Sequence, residues 1–113
     1  MSFTSDHLID QIIEGRKTAS VEWLDKQGEL NERDSALKTG RGYTVCDSNR
    51  KPKCKIRVVA MELCRWDAIP ERLWKGETNA NADEFRADHS EYFDNPKDDF
   101  EFLAYYFELL EQY

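Results

Sequence analysis

The chain has little of what metal, disulfide-bonded or membrane proteins depend on. Its 113 residues include only 3 cysteines and 2 histidines. Cys46, Cys54 and Cys64 are odd in number and lack Cys-x-x-Cys spacing, which argues against a disulfide framework or a structural zinc site. Reduced thiols packing as small hydrophobes on strands are the simpler expectation. His7 and His89 lie far apart in sequence with no ligand-like neighbours, so each reads as a helix-surface or half-buried residue. No metal and no other cofactor is expected. The apolar runs are a handful of residues long, far short of the roughly 20 that cross a membrane as a helix. The first residues lack the basic start and apolar core of a signal peptide. There is no internal repeat, linker or low-complexity segment. These absences lead to the expectation of a cytoplasmic, single-domain protein spanning residues 1–113.

What is present suits a small globule with a thin core: 40% hydrophobic, 35% charged and 12% aromatic residues. The aromatics supply much of the area that so small a domain must bury. The net charge is −7. A globally acidic chain is a poor non-specific binder of nucleic acid, because phosphates feel the whole field. Yet residues 38–57 carry Lys38, Arg41, Arg50, Lys51, Lys53, Lys55 and Arg57 against Asp47 alone. Such a strip can hold one anionic group or a short single-stranded RNA. It can equally be a solvated hairpin edge whose lysines block edge-to-edge pairing.

Residues 5–15 read as a helix, with Leu8, Ile9, Ile12 and Ile13 on one stripe, Thr4 or Ser5 as cap and Gly15 as the left-handed stop. Residues 18–23 read as a strand. The polar stretch 24–42 resists assignment until Gly40 and Gly42 mark a turn. Residues 43–46 and 54–64 then form a hairpin around the turn at 48–52, with Ile56, Val58 and Ala60 on one face of its long strand and Lys55 and Arg57 on the other. A short helical piece surrounds Pro70 and ends at Gly76. Asn81 to Glu84 has the form of a capping box, predicting a helix over 82–93 with Phe85, His89, Tyr92 and Phe93 along one side. The tail, 102–110, is rich in strand formers, although periodicity alone does not exclude a helix.

Chemistry concentrates at Gly15-x-Lys17-Thr18-x-Ser20, where an ammonium and hydroxyls follow the helix stop. A lysine beside a hydroxyl is a possible base and nucleophile pair. Side chains three apart in a flat strand point to opposite faces, so Lys17 and Ser20 converge only if the chain bends between them. Lys17 is also well placed to cap the negative end of the preceding helix. Among the aromatics, Trp66 and Trp74 flank the turn toward Glu77 and are the candidates to stack on a base. Arg57 is a candidate to hold a carbonyl or phosphate.

Taken in order, these motifs resemble the ASCH family, domains related to activating-signal cointegrator that share a PUA-like fold. The resemblance runs from Gly15-x-Lys17-Thr18-x-Ser20 through Tyr43, Pro52-x-Cys54-x-Ile56-x-Val58, Trp66-Asp67-x-Ile69 and Gly76-Glu77. It continues into Phe85-Arg86-x-x-His89, Tyr92-Phe93 and Phe107-Glu108-Leu109, covering nearly the whole chain. It implies an α+β fold, a PUA-like mixed β-barrel with flanking helices, and an association with RNA or modified nucleosides. One small bacterial branch resembles an amidohydrolase that removes the acetyl group of N4-acetylcytidine with a lysine, a hydroxyl three positions later and a glutamate in a following turn. Carried over, these are Lys17, Ser20 and Glu77 as catalytic residues, with Arg16, Thr18, Arg57, Trp66 and Trp74 around the substrate. Other members resemble ribonucleases or RNA-binding modules. The wider pattern, Gly-x-Lys-x-x-Glu-x-Arg, is altered here: Ser20 stands at the glutamate and Glu22 at the arginine. The first change leans toward the hydrolase branch, and the second removes a phosphate-binding charge. In such a hydrolase Ser20 attacks the amide carbonyl and Lys17, as the neutral amine, takes its proton. Burial or a neighbouring cation such as Arg16 favours that neutral state.

Overall fold

The computed structural model describes residues 1, 3, 5–23 and 37–113. Thr4 and most of the unassigned stretch 24–42 lie outside the described residues. The elements run α1 (Asp6–Ile13), β1 (Ala19–Glu22), β2 (Gly42–Cys46), β3 (Pro52–Arg65), α2 (Glu71–Gly76), α3 (Ala82–His89) and β4 (Glu101–Gln112). The α+β class is as expected. The strands form one antiparallel sheet in the order β1-β4-β3-β2, and among the described residues β1 and β2 are its edges. No described helix is long and apolar enough to cross a membrane.

Helix α1 starts where Ser5 accepts a hydrogen bond from the backbone N–H of His7, and Asp6 places a negative charge in its first turn. It stops in a Schellman turn. Gly15 takes φ +81°, its N–H bonds the Ile12 carbonyl, and the Arg16 N–H reaches back to Gln11. Helix α3 is capped by the Asn81 side chain on the Glu84 N–H, as the capping box predicts. It ends four residues before the predicted end; the chain continues as turns over 90–94, where Asp94 and then Asn95 adopt φ 58° and 52° ahead of Pro96.

Helices lie on both faces of the sheet, which explains the long apolar run in β4. Phe102, Ala104 and Tyr106 pack with Leu73 of α2 and Phe85 of α3. Tyr105 and Phe107 pack instead with Ile9 and Ile12 of α1. A central strand covered on both faces loses the polar alternation of a half-exposed one. Strand β3 serves both cores by another device. Its register with β4 slips between Val58 and Ala60, a bulge that exchanges the two faces. Ile56 and Val58 therefore join the α1 side, while Ala60 and Cys64 join the α2–α3 side. This corrects the expectation that Ile56, Val58 and Ala60 share a face.

Candidate active site

A single close approach brings the start of β1 to the end of α2. The Thr18 N–H donates to the Gly76 carbonyl at 2.8 Å, and the Phe107 N–H donates to the Thr18 carbonyl at 2.9 Å. A Cβ on Gly76 would lie 2.6 Å from the Ala19 Cβ, so only glycine lets the two segments touch. Glu77 follows as the C-cap of α2, delivered beside Lys17 across 60 residues of sequence. A second Schellman turn completes this corner, with Thr78 N–H to Lys75 and Asn79 N–H to Trp74. Thr78 occupies the left-handed region at φ 66°, strained for a β-branched residue, and it lines the cleft beside Glu77. Asn79, itself buried, donates to Asp88 at 2.7 Å and ties the corner to α3.

The resulting cleft, about 440 Å³, is walled by Lys17, Ser20, Glu77, His89, Tyr92 and Tyr105 among others. Lys17 and Glu77 form an ion pair with side chains only 2% and 5% exposed. The Lys17 ammonium also donates to the Ala19 carbonyl at 2.7 Å. Two of its three donors are thus engaged, and the third is left for a ligand. The other carboxylate oxygen, Oε2, lies 2.6 Å from His89 Nε2, and His89 Nδ1 lies 2.8 Å from the Phe85 carbonyl. Burial alone would push the Glu77 carboxyl up. The hydrogen bond with His89 and the charge of Lys17 outweigh it, holding the group below the ordinary carboxylate value. Burial also raises the Tyr105 phenol, against a hydrogen bond with Ser20, so that phenol stays neutral.

Of the residues expected to be catalytic, Lys17, Ser20 and Glu77 share this cleft. The parity problem between Lys17 and Ser20 disappears, because β1 begins only at Ala19 and Lys17 lies in the connection before it. The Lys17 side chain is drawn to Glu77 and the Ala19 carbonyl, while its backbone N–H is what bonds Gln11 of α1. Arg16 is exposed and pairs with Glu14, so the neighbour that meets the Lys17 ammonium is an anion and not a cation. Thr18 is exposed and contributes its backbone to the Gly76 contact. Trp66 is a core residue, 7% exposed, and Trp74 packs against the same core; neither lines the cleft. Arg57 pairs with Glu108 on the sheet, away from the cleft lining. In the rest of the basic strip, Lys53 approaches Asp47 at 3.8 Å and Lys55 stands opposite Glu111.

Sequence reasoning missed His89, Tyr92 and Tyr105. The available signal was the i, i+4 spacing of Phe85 and His89 on the inward side of α3; the two rings stack with centroids 4.0 Å apart. Among the described residues no cluster of three or more His, Cys, Asp or Glu is arranged to hold a metal. The described cysteines are free, and burial raises the Cys64 thiol to about 12, which keeps it protonated and inert.

A family model described as ASCH domain matches residues 1–109. The fold is similar to the crystal structure of an ASCH domain from Lactobacillus crispatus JV V101, with 19% identity and a TM-score of 0.77 over 95% of this chain and 72% of that one. It is also similar to a protein from Enterococcus faecalis V583, with 20% identity and a TM-score of 0.71 over 98% of this chain and 76% of that one. Among curated protein sequences, none matches this chain.

Proposed function

The chain belongs to the ASCH domain family, and from that premise we propose that it is an amidohydrolase acting on an N-acylated pyrimidine nucleoside or a similar small amide. The observation that carries this reading is the convergence of Lys17, Ser20 and Glu77 on one cleft, with Lys17 and Glu77 paired out of water. The cleft volume of about 440 Å³ is in the range that suits a nucleoside-sized ligand.

Ser20 Oγ attacks the acyl carbon. The spare Lys17 N–H donates to the carbonyl oxygen as negative charge develops there. As Ser20 attacks, its proton passes to Lys17 while Lys17 gives one of its own to the Glu77 carboxylate, so the lysine stays charged. Lys17 then gives a proton to the leaving exocyclic nitrogen and takes one back from Glu77. The C–N bond breaks, and an acyl-serine remains beside the restored ion pair. Water, activated by the same pair, hydrolyses that ester. The pyrimidine is a favourable leaving group because its exocyclic nitrogen is delocalised into the ring. Tyr92 and Tyr105 give the cleft aromatic walls of the kind that planar bases stack on.

The test is hydrolysis of N4-acetylcytidine by the wild-type chain beside Lys17→Ala and Ser20→Ala. Turnover in the wild type, lost in both variants, is expected. Absence of wild-type turnover, or full turnover in Ser20→Ala, contradicts the proposal.

A further inference from the structure

Glu77 sits between two cationic-type donors, and the second of them has no part in the steps above. Its Oε1 meets Lys17 and its Oε2 meets His89, so each oxygen has its own partner. A carboxylate pinned at both oxygens cannot rotate about its terminal torsion, a bond that is otherwise soft. His89 is itself fixed on three sides: Nε2 faces Glu77, Nδ1 faces the Phe85 carbonyl at 2.8 Å, and the ring stacks on Phe85. Both partners are acceptors, so a ring nitrogen that carries a hydrogen donates it to its own partner. With both nitrogens engaged, His89 has no hydrogen left for a substrate.

Resting on the hydrolase reading, we propose that His89 is a positioning residue: its Nε2–H orients the Glu77 carboxylate so that the opposite oxygen is aimed at Lys17. A donor that touches the functional carboxylate from the side away from its reacting partner holds it in one orientation. The titratable groups that face this pair are Lys17 before β1, Asp88 of α3 in its bond with Asn79, Tyr92 beyond α3 and Tyr105 of β4. Glu22 of β1 adds its charge at both phenols.

The test compares two variants in the full-length chain. His89→Phe keeps a ring to stack on Phe85 and removes both ring nitrogens. His89→Gln loses the ring and restores a neutral donor toward Glu77. The first readout needs no substrate: stability by urea unfolding as a function of pH. Glu77 is depressed in the folded state, so it contributes stability above its ordinary value that is lost as pH falls through the depressed one. Without the His89 donor that depression shrinks. In His89→Phe the acid loss of stability is therefore smaller and is complete at higher pH than in the wild type, and His89→Gln moves it back toward the wild type. The second readout is kcat against KM for N4-acetylcytidine. Misplacing a reacting group by about 1 Å costs roughly 100-fold, so His89→Phe lowers kcat by that order with KM little changed, and His89→Gln recovers part of it. An unchanged acid limb together with unchanged kcat in His89→Phe overturns the assignment. If the wild type hydrolyses nothing, the hydrolase reading fails, and the unfolding arm still decides whether His89 orients Glu77.

Discussion

The cleft and the basic strip both gather charge, and they differ in what surrounds it. In the cleft the Lys17–Glu77 pair is 2% and 5% exposed, while on the strip Arg57 and Glu108 are 48% and 47% exposed. Water and salt screen the second pair, and little of its Coulomb energy survives as stability. The first pair has lost its hydration and depends on its partners, on the Ala19 carbonyl and on His89. In the linear sequence the strip is the conspicuous feature, seven cations with one carboxylate. In the folded chain two of those cations meet the acidic end of β4, Arg57 on Glu108 and Lys55 opposite Glu111, and Lys53 approaches Asp47. A single buried lysine outweighs a row of exposed ones, because burial sets the scale of an electrostatic interaction and count does not.

The largest expected effect comes from Lys17→Ala. It leaves Glu77 buried without its cation, and breaking a buried pair from one side costs about 3–5 kcal/mol. Urea unfolding reads this directly. Removing both charges with the apolar pair Lys17→Met and Glu77→Leu recovers much of the loss while leaving the chain inactive. A loss below about 1 kcal/mol in Lys17→Ala would put the cleft in the same class as the strip. Next comes Gly76→Ala, whose new methyl meets the Ala19 Cβ at 2.6 Å. Overpacking of this kind costs about 1–3 kcal/mol, and separating Thr18 from Gly76 also pulls Lys17 off Glu77. Thermal unfolding and turnover are expected to fall together; a change in one alone would show that the close approach and the ion pair are independent. The smallest effect belongs to Arg57→Ala, at most about 1 kcal/mol and less in high salt, with turnover unaltered.

The fold was largely legible because its elements obey local rules. The stripe of α1 with its glycine stop, the hairpin of β2 and β3 and the capping box at Asn81 each carry a signal within a few residues. The β3 bulge carried none: an extra residue in a ladder depends on the partner strand, and Val59 looks like any other strand residue. The candidate site was legible in its nearest pair, Lys17 and Ser20, and Glu77 came through family resemblance and not through spacing. His89 escaped notice because its partner lies 12 residues away across two turns. In sequence the aromatic wall reads as Trp66 and Trp74, which flank the turn toward Glu77. Trp66 turns into the core instead, and Tyr92, just beyond α3, and Tyr105 of β4 reach the cleft.

The most direct measurement sets the two regions against each other in a salt series. Hydrolysis of N4-acetylcytidine and retention of a short single-stranded RNA are followed on the same wild-type protein from low to high ionic strength. A buried site acting on a neutral nucleoside predicts turnover that barely changes with salt, and weak RNA retention throughout. No turnover, together with RNA binding that collapses as salt rises, would contradict the account and move the function from the cleft to the strip.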